Sequence, residues 1–154
     1  MMTNLSSDVI KRLADKTLAT AESCTGGGIG AALTAVPGSS AVYKGGIISY
    51  TNEVKEKLLG VPAEMLAQYG AVSQPVAQAM AEGARKQLQT DIAVSVTGLA
   101  GPGGDEYGNP VGTVFIGYAD ANKSYAKEFH FSGDREKVRN QGICVALQVI
   151  LSEN

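Results

Sequence analysis

Apolar residues recur along this chain in two rhythms. Leu5, Val9 and Leu13 stand at helical spacing with Ile10 on their flank, which predicts a helix over residues 4–16. Leu18 to Ser23 reads as a strand, and an apolar run from Ile29 continues a glycine-opened helix to about Ala35. Pro37-Gly38-Ser39-Ser40 is a turn. Val42 to Tyr50 is a second strand, in which Gly45-Gly46 implies a bulge or a close neighbour. Asn52 caps a short helix to Leu59, stopped by Gly60. Pro62 to Tyr69 is another short helix, and Ser73 caps a longer one through Leu88 with Pro75 in its first turn. Asp91 to Thr97 alternates Ile92, Val94 and Val96 with small residues, as a strand does. Val111 to Tyr118 is nearly all apolar and reads as a central strand, paired with Tyr125 to Phe131 across the Asp120–Asn122 turn. Asp134 or Ser132 caps a last helix to about Ser152. Strands alternating with helices, with one antiparallel hairpin, predict a single three-layer α/β/α domain. Its sheet is expected to be mixed, mostly parallel and of about five strands.

The run Ala21-Glu22-Ser23-Cys24-Thr25-Gly26-Gly27-Gly28-Ile29-Gly30 departs from what stability alone would select. Each glycine inside a helix costs about 1 kcal/mol relative to alanine. Glycines at a helix N-terminus leave free N–H groups and positive potential open to close approach, so the expected guest is an anion or a developing oxyanion. A second glycine loop, Thr97 to Gly104, matches neither a dinucleotide fingerprint nor a Walker loop, but its backbone could also cradle a ligand. In open α/β sheets ligands bind beyond the carboxyl ends of the strands. That rule groups Ser23, Cys24 and Thr25 with Tyr50, Asn52, Lys55 and the Thr97–Gly104 loop, provided the three strands run the same way.

Charge and composition narrow the chemistry. Thirteen basic residues against fifteen acidic ones supply no basic stripe for nucleic acid or anionic lipid. No apolar run approaches the ~20 residues that span a membrane. Two cysteines form no disulfide framework, which fits a reducing cytoplasm. With one histidine and two cysteines, a metal site built on several of either is excluded by count. The single histidine, His130, falls on the solvent side of its strand, opposite Phe129 and Phe131, so a nucleophilic Ser23 needs a lysine or tyrosine as base. Lys55 is the candidate. Its pKa would have to fall from about 10.4 toward neutrality, which a helix dipole cannot supply and burial can. An ordinary surface lysine is the competing reading. Tyr50 could relay a proton or orient Lys55. Cys24 is either an alternative nucleophile or an inert buried thiol. Arg135 and Arg139 share a face near the start of the last helix, awaiting an anion or paired with Glu136, Asp134 or Asp105.

Six ordered blocks carry a family resemblance. They are Ala-Glu-Ser-Cys-Thr-Gly-Gly at 21–27, Gly-Gly-Ile-Ile-Ser-Tyr-Thr-Asn-Glu-Val-Lys at 45–55, Gly-Ala-Val-Ser at 70–73, Thr-Gly-Leu-Ala-Gly-Pro-Gly-Gly at 97–104, Pro-Val-Gly-Thr-Val at 110–114 and Gly-Asp-Arg-Glu-Lys-Val-Arg at 133–139. Together they resemble the C-terminal domain of CinA proteins, in its standalone form, over nearly the whole chain. The resemblance implies a nicotinamide-nucleotide amidohydrolase that converts nicotinamide mononucleotide and water to nicotinate mononucleotide and ammonia in pyridine-nucleotide salvage. It implies Ser23 as nucleophile with Tyr50 and Lys55 assisting, no metal and no cofactor, and self-association into a homo-oligomer. The substrate-binding residues expected around them are Cys24, Thr25, Gly26, Gly27, Ser73, Thr97, Gly98, Gly101, Arg135 and Arg139. Gln74-Pro75 departs from the family pattern after Ser73. The alternative function is a nucleotide- or phosphate-binding sensor or partner domain without turnover, which would keep Thr25, the glycine loops and Arg135 but not need Lys55.

Overall fold

A computed structural model describes residues 2–154. The elements follow in the order α1 (Met2–Arg12), β1 (Leu18–Glu22), α2 (Gly28–Thr34), a short 3-10 turn (Ser39–Ala41), β2 (Tyr43–Ile48), α3 (Asn52–Leu59), α4 (Ala63–Tyr69), α5 (Gln74–Leu88), β3 (Ile92–Gly98), β4 (Thr113–Ala119), β5 (Ser124–His130) and α6 (Arg135–Glu153). The five strands form one sheet in the order β2-β1-β3-β4-β5. The α/β class, the mixed sheet and the strand number agree with the expectation. The balance of the sheet does not: β1 pairs in parallel with β2 and β3, whereas β3–β4 and β4–β5 are antiparallel. The sheet is therefore evenly divided rather than mostly parallel, because β3 and β4 are joined by a long hairpin loop and not by a crossover helix.

Alternation along the strands decides which helices cover which face. On one side Ile92, Val94 and Val96 of β3 and Val114, Ile116 and Tyr118 of β4 pack with Val9, Leu33, Leu147 and Ile150 from α1, α2 and α6. Each large aliphatic buried there contributes about 1.5–3 kcal/mol. The other side carries small residues, Ala19, Ala21 and Ala93, beneath Val76, Met80 and Ala84 of α5. Small size permits a close approach. The Ser95 hydroxyl donates to the Ala77 carbonyl at 2.6 Å, and a Cβ at Gly117 would collide with that same carbonyl.

Several local details depart from the sequence pattern. α1 ends at Arg12, although the buried Leu13 still donates its N–H to the Val9 carbonyl. Thr51, not Asn52, caps α3, its hydroxyl accepting from the Val54 N–H. Ser73 sits at the cap position of α5 but turns its hydroxyl to the Gly70 carbonyl. Asp134 caps α6 by accepting from the Lys137 N–H. β4 is an interior strand buried along its whole length, as its apolar run predicts, with β3 beside it at the middle of the sheet. The expected irregularity at Gly45-Gly46 is a register shift against Leu18 and Ala19.

Because β1, β2 and β3 are mutually parallel or share a parallel neighbour, their carboxyl ends lie on one edge of the domain. Three loops meet there: Ser23–Gly27, Ser49–Thr51 and Leu99–Gly112. Among the described residues no helix is long and apolar enough to cross a membrane.

Candidate active site

A cleft of about 580 Å³ opens where these loops converge. Ser23 lies at its floor, one residue beyond β1, with its N–H fixed to the Val96 carbonyl of β3 at 2.9 Å. Lys55 reaches the same point from the first turn of α3. Its Nζ donates to the Ser23 Oγ at 3.0 Å, to the Ser49 carbonyl at 2.8 Å and to the Tyr50 carbonyl at 3.3 Å. The side chain is 1% exposed. Burial therefore lowers the Lys55 pKa from 10.5 to about 8, with the nearby Cys24 working weakly in the opposite direction.

Donor counting gives this arrangement its chemical meaning. An ammonium has three N–H bonds, and three acceptors surround it. A neutral amine keeps two N–H bonds for the two carbonyls and turns a lone pair to the third neighbour, the Ser23 hydroxyl. The backbone carbonyls thus hold Lys55 in the orientation a general base requires, and burial makes the neutral form accessible near neutral pH. When Lys55 is charged, the Ser23 proton has a long alternative contact to the Tyr50 carbonyl at 3.5 Å. Cys24 is the opposite case. Burial raises its thiol pKa to about 11, which leaves almost no thiolate at neutral pH.

The structure brings Ser23, Cys24, Tyr50, Lys55, Thr97, Gly98, Gly101 and Arg135 to the cleft wall. Tyr50 contributes through two different groups. Its carbonyl touches Lys55, while its exposed phenol accepts from Arg135 Nη2 at 3.2 Å. Arg135 also donates to the Gly101 carbonyl at 2.7 Å, which joins α6 to the second glycine loop. Thr97 is buried and spends its hydroxyl on the Ala71 carbonyl. Thr25, Gly26, Gly27, Ser73 and Arg139 lie outside the cleft lining. Ser73 faces the Gly70 carbonyl, and Arg139 reaches over the Ser23–Gly27 turn to the carbonyls of Cys24 and Thr25 at 2.9 and 3.2 Å.

The glycine-opened helix already has its anion, and this corrects the expectation of a ligand there. The Glu22 carboxylate, 2% exposed, accepts from the Thr25 hydroxyl at 2.6 Å, the Ile29 N–H at 2.8 Å and the Gly30 N–H at 3.0 Å. A residue of the chain itself thereby neutralises the α2 N-terminus. The glycines serve this geometry. Gly27 adopts φ 100 as the N-cap, and a Cβ at Gly28 would run into the Ile143 side chain. Glu22 escaped the sequence reading, although a carboxylate between an apolar strand and a glycine-opened helix is the signal that identifies it. The Leu99–Gly112 loop was likewise underread. Asp105 gathers the N–H groups of Tyr107 and Asn109 and the Asn109 side chain, and Tyr107 anchors the loop to the Ala67 carbonyl of α4.

His130 stands in β5 with Glu128 2.7 Å away and does not line the cleft. No grouping of three or more His, Cys, Asp or Glu suited to a metal occurs among the described residues.

Comparison with known proteins places this site in a family. The family model described as "CinA C-terminal domain" matches residues 2–153. A CinA-like protein of Parasynechococcus marenigrum is 55% identical over 135 residues, which are 88% of this chain and 31% of that protein. The chain thus spans about a third of the length of such relatives. A nicotinamide-nucleotide amidohydrolase, PncC, of Pseudomonas putida is 47% identical over 132 residues, 86% of this chain and 82% of that protein. A crystal structure of a competence-damaged protein (CinA) superfamily member from Escherichia coli superposes with a TM-score of 0.98 at 36% identity, covering 100% of this chain and 91% of that one.

Proposed function

This chain belongs to the CinA C-terminal domain family, and from that premise we propose that it hydrolyses the carboxamide of nicotinamide mononucleotide, releasing ammonia and nicotinate mononucleotide. One observation carries the reading: a buried lysine whose amine is aimed at a serine hydroxyl 3.0 Å away, at the floor of a nucleotide-sized cleft. The name of the Pseudomonas putida relative supports the substrate class.

In this reading neutral Lys55 removes the Ser23 proton as Oγ attacks the carboxamide carbon. A tetrahedral intermediate forms, with the new C–O bond to Ser23 and a negative oxygen. Lys55, now an ammonium, returns the proton to the departing nitrogen, the C–N bond breaks and ammonia leaves. Water then attacks the ester on Ser23, Lys55 accepts its proton, and that proton returns to Oγ as the acid is released. Both half-reactions use the same base, so a single buried lysine suffices. The substrate phosphate meets Arg135, which the Gly101 carbonyl and the Tyr50 phenol steer into the cleft. Thr97 and Ser73 act through the loops they tie down.

The test is ammonia release from nicotinamide mononucleotide by the purified protein. Release dependent on Ser23 and Lys55 supports the amidohydrolase. No release, with the nucleotide still bound, would favour a binding domain without turnover.

A further inference from the structure

The negative oxygen of the intermediate needs donors, and an account of every backbone N–H along the nucleophile turn leaves few. Ser23 donates to Val96 O, Gly26 to Ser23 O, Gly28 to Thr25 O and Ala31 to Gly27 O. Ile29 and Gly30 donate to the Glu22 carboxylate. Between residues 23 and 31 only the N–H groups of Cys24, Thr25 and Gly27 have no oxygen acceptor among the described residues. Thr25 is fully buried and, like Gly27 against Ile48, stands outside the cleft lining, whereas Cys24 lines the cleft beside Ser23.

Peptide planarity decides where the Cys24 N–H points. The carbonyl of one residue and the N–H of the next lie on opposite sides of a trans peptide. The Ser23 carbonyl is held by the Gly26 N–H at 3.1 Å, which fixes the Cys24 N–H on the other side. The Cys24 carbonyl is held by Arg139 Nε at 2.9 Å, and the Thr25 carbonyl by Arg139 Nη2 at 3.2 Å. The guanidinium thus fixes the backbone on the far side of Cys24 and itself stays out of the cleft.

We propose that the Cys24 N–H is the oxyanion donor of this site, and that Arg139 is its positioning residue, clamping the carbonyls of Cys24 and Thr25 and so the turn that presents this N–H, without touching substrate. The proposal rests on the amidohydrolase reading and adds to it an oxyanion donor and a role for Arg139 other than holding phosphate. Glu22 completes the device from below. By occupying the α2 N-terminus it removes the competing donors, and through the Thr25 hydroxyl it anchors the turn that Arg139 holds from above.

Steady-state ammonia release from nicotinamide mononucleotide by wild type, Arg139→Lys and Arg139→Gln tests the proposal. Lysine keeps the charge but cannot hold both carbonyls in the guanidinium geometry. The expected result is a kcat lower by about 100-fold in both variants, the scale of losing one oxyanion donor. KM stays within about threefold and the pH midpoint of the reaction is unmoved, since Lys55 is untouched. A KM that rises while kcat is kept makes Arg139 a phosphate ligand and overturns the clamp, as does an unchanged kcat. Wild type that releases no ammonia overturns the amidohydrolase reading instead, so the two failures are distinct. A second measurement requires no variant. An aldehyde analogue of the substrate adds to Ser23, forming the C–O bond and the same oxyanion, and should move the Cys24 amide proton resonance of the wild-type protein downfield. A Cys24 amide resonance that stays in place overturns the assignment.

Discussion

Lys55 Nζ lies 3.0 Å from Ser23 Oγ, and its remaining hydrogen bonds are taken by two backbone carbonyls of the loop after β2. The amine is therefore aimed before any substrate arrives, and what remains variable is its protonation. With a pKa lowered by burial to about 8, roughly a tenth of the lysine is neutral at pH 7. As the proposed base, Lys55 works only when neutral, so kcat/KM is expected to rise with pH, about tenfold from pH 7 to a plateau, with its midpoint near 8. A rate profile from pH 6 to 9.5 checks this, and a flat profile would contradict the assignment of Lys55 as base.

Cys24 neighbours Ser23 yet is held as a protonated thiol by its burial, with a pKa of about 11. Cys144 is half-buried. Iodoacetamide near neutral pH should label Cys144 and spare Cys24, and the labelled protein should still release ammonia. Peptide mapping with an activity assay reads both, and inactivation in step with a Cys24 adduct would make the thiol, not the Ser23 hydroxyl, the nucleophile.

Arg135 offers the cleft a guanidinium whose two hydrogen-bonding partners, Gly101 O and the Tyr50 phenol, are neutral. A phosphate is a stronger partner than either, worth about 1.5–3 kcal/mol for a charged hydrogen bond. Arg135→Gln should raise KM for the mononucleotide about 10- to 100-fold and change kcat little. The phosphate-free nucleoside, compared in the same assay, should respond much less. Equal effects on both would place the phosphate elsewhere.

Glu22 satisfies three donors from a buried position, so Glu22→Gln leaves an amide group facing N–H or O–H donors. The expected cost is about 2 kcal/mol, or about 6 °C in the melting midpoint of a domain this size. Thermal denaturation measures it directly. A variant as stable as wild type would mean that the carboxylate does not carry the α2 N-terminus.

Much of this protein could be read from local pattern, and the parts that could not share a physical reason. Alternation and helical spacing located the elements within a few residues, because Ile92, Val94 and Val96 or Leu5, Val9 and Leu13 declare a face without help from the rest of the chain. Strand direction is not local. β4 turns back beside β3 across the Leu99–Gly112 loop, and nothing in Val111–Tyr118 says so. The pairing of Lys55 with Ser23 spans 32 residues and depends on α3 lying over the end of β1. Chemistry singled out both residues, but only the parallel neighbours β1 and β2 bring them together. The glycine run misled for the same reason. It announced an anion at a helix N-terminus, and the anion is Glu22, brought there by the turn of the chain itself.

Ammonia release by Ser23→Ala tests the central claim most directly, measured against wild type at pH 8 with saturating nicotinamide mononucleotide. If Lys55-activated Ser23 is the nucleophile, kcat falls at least about a thousand-fold while the variant stays folded. Release within tenfold of wild type would contradict it, since Lys55 would then be acting on water rather than on Ser23.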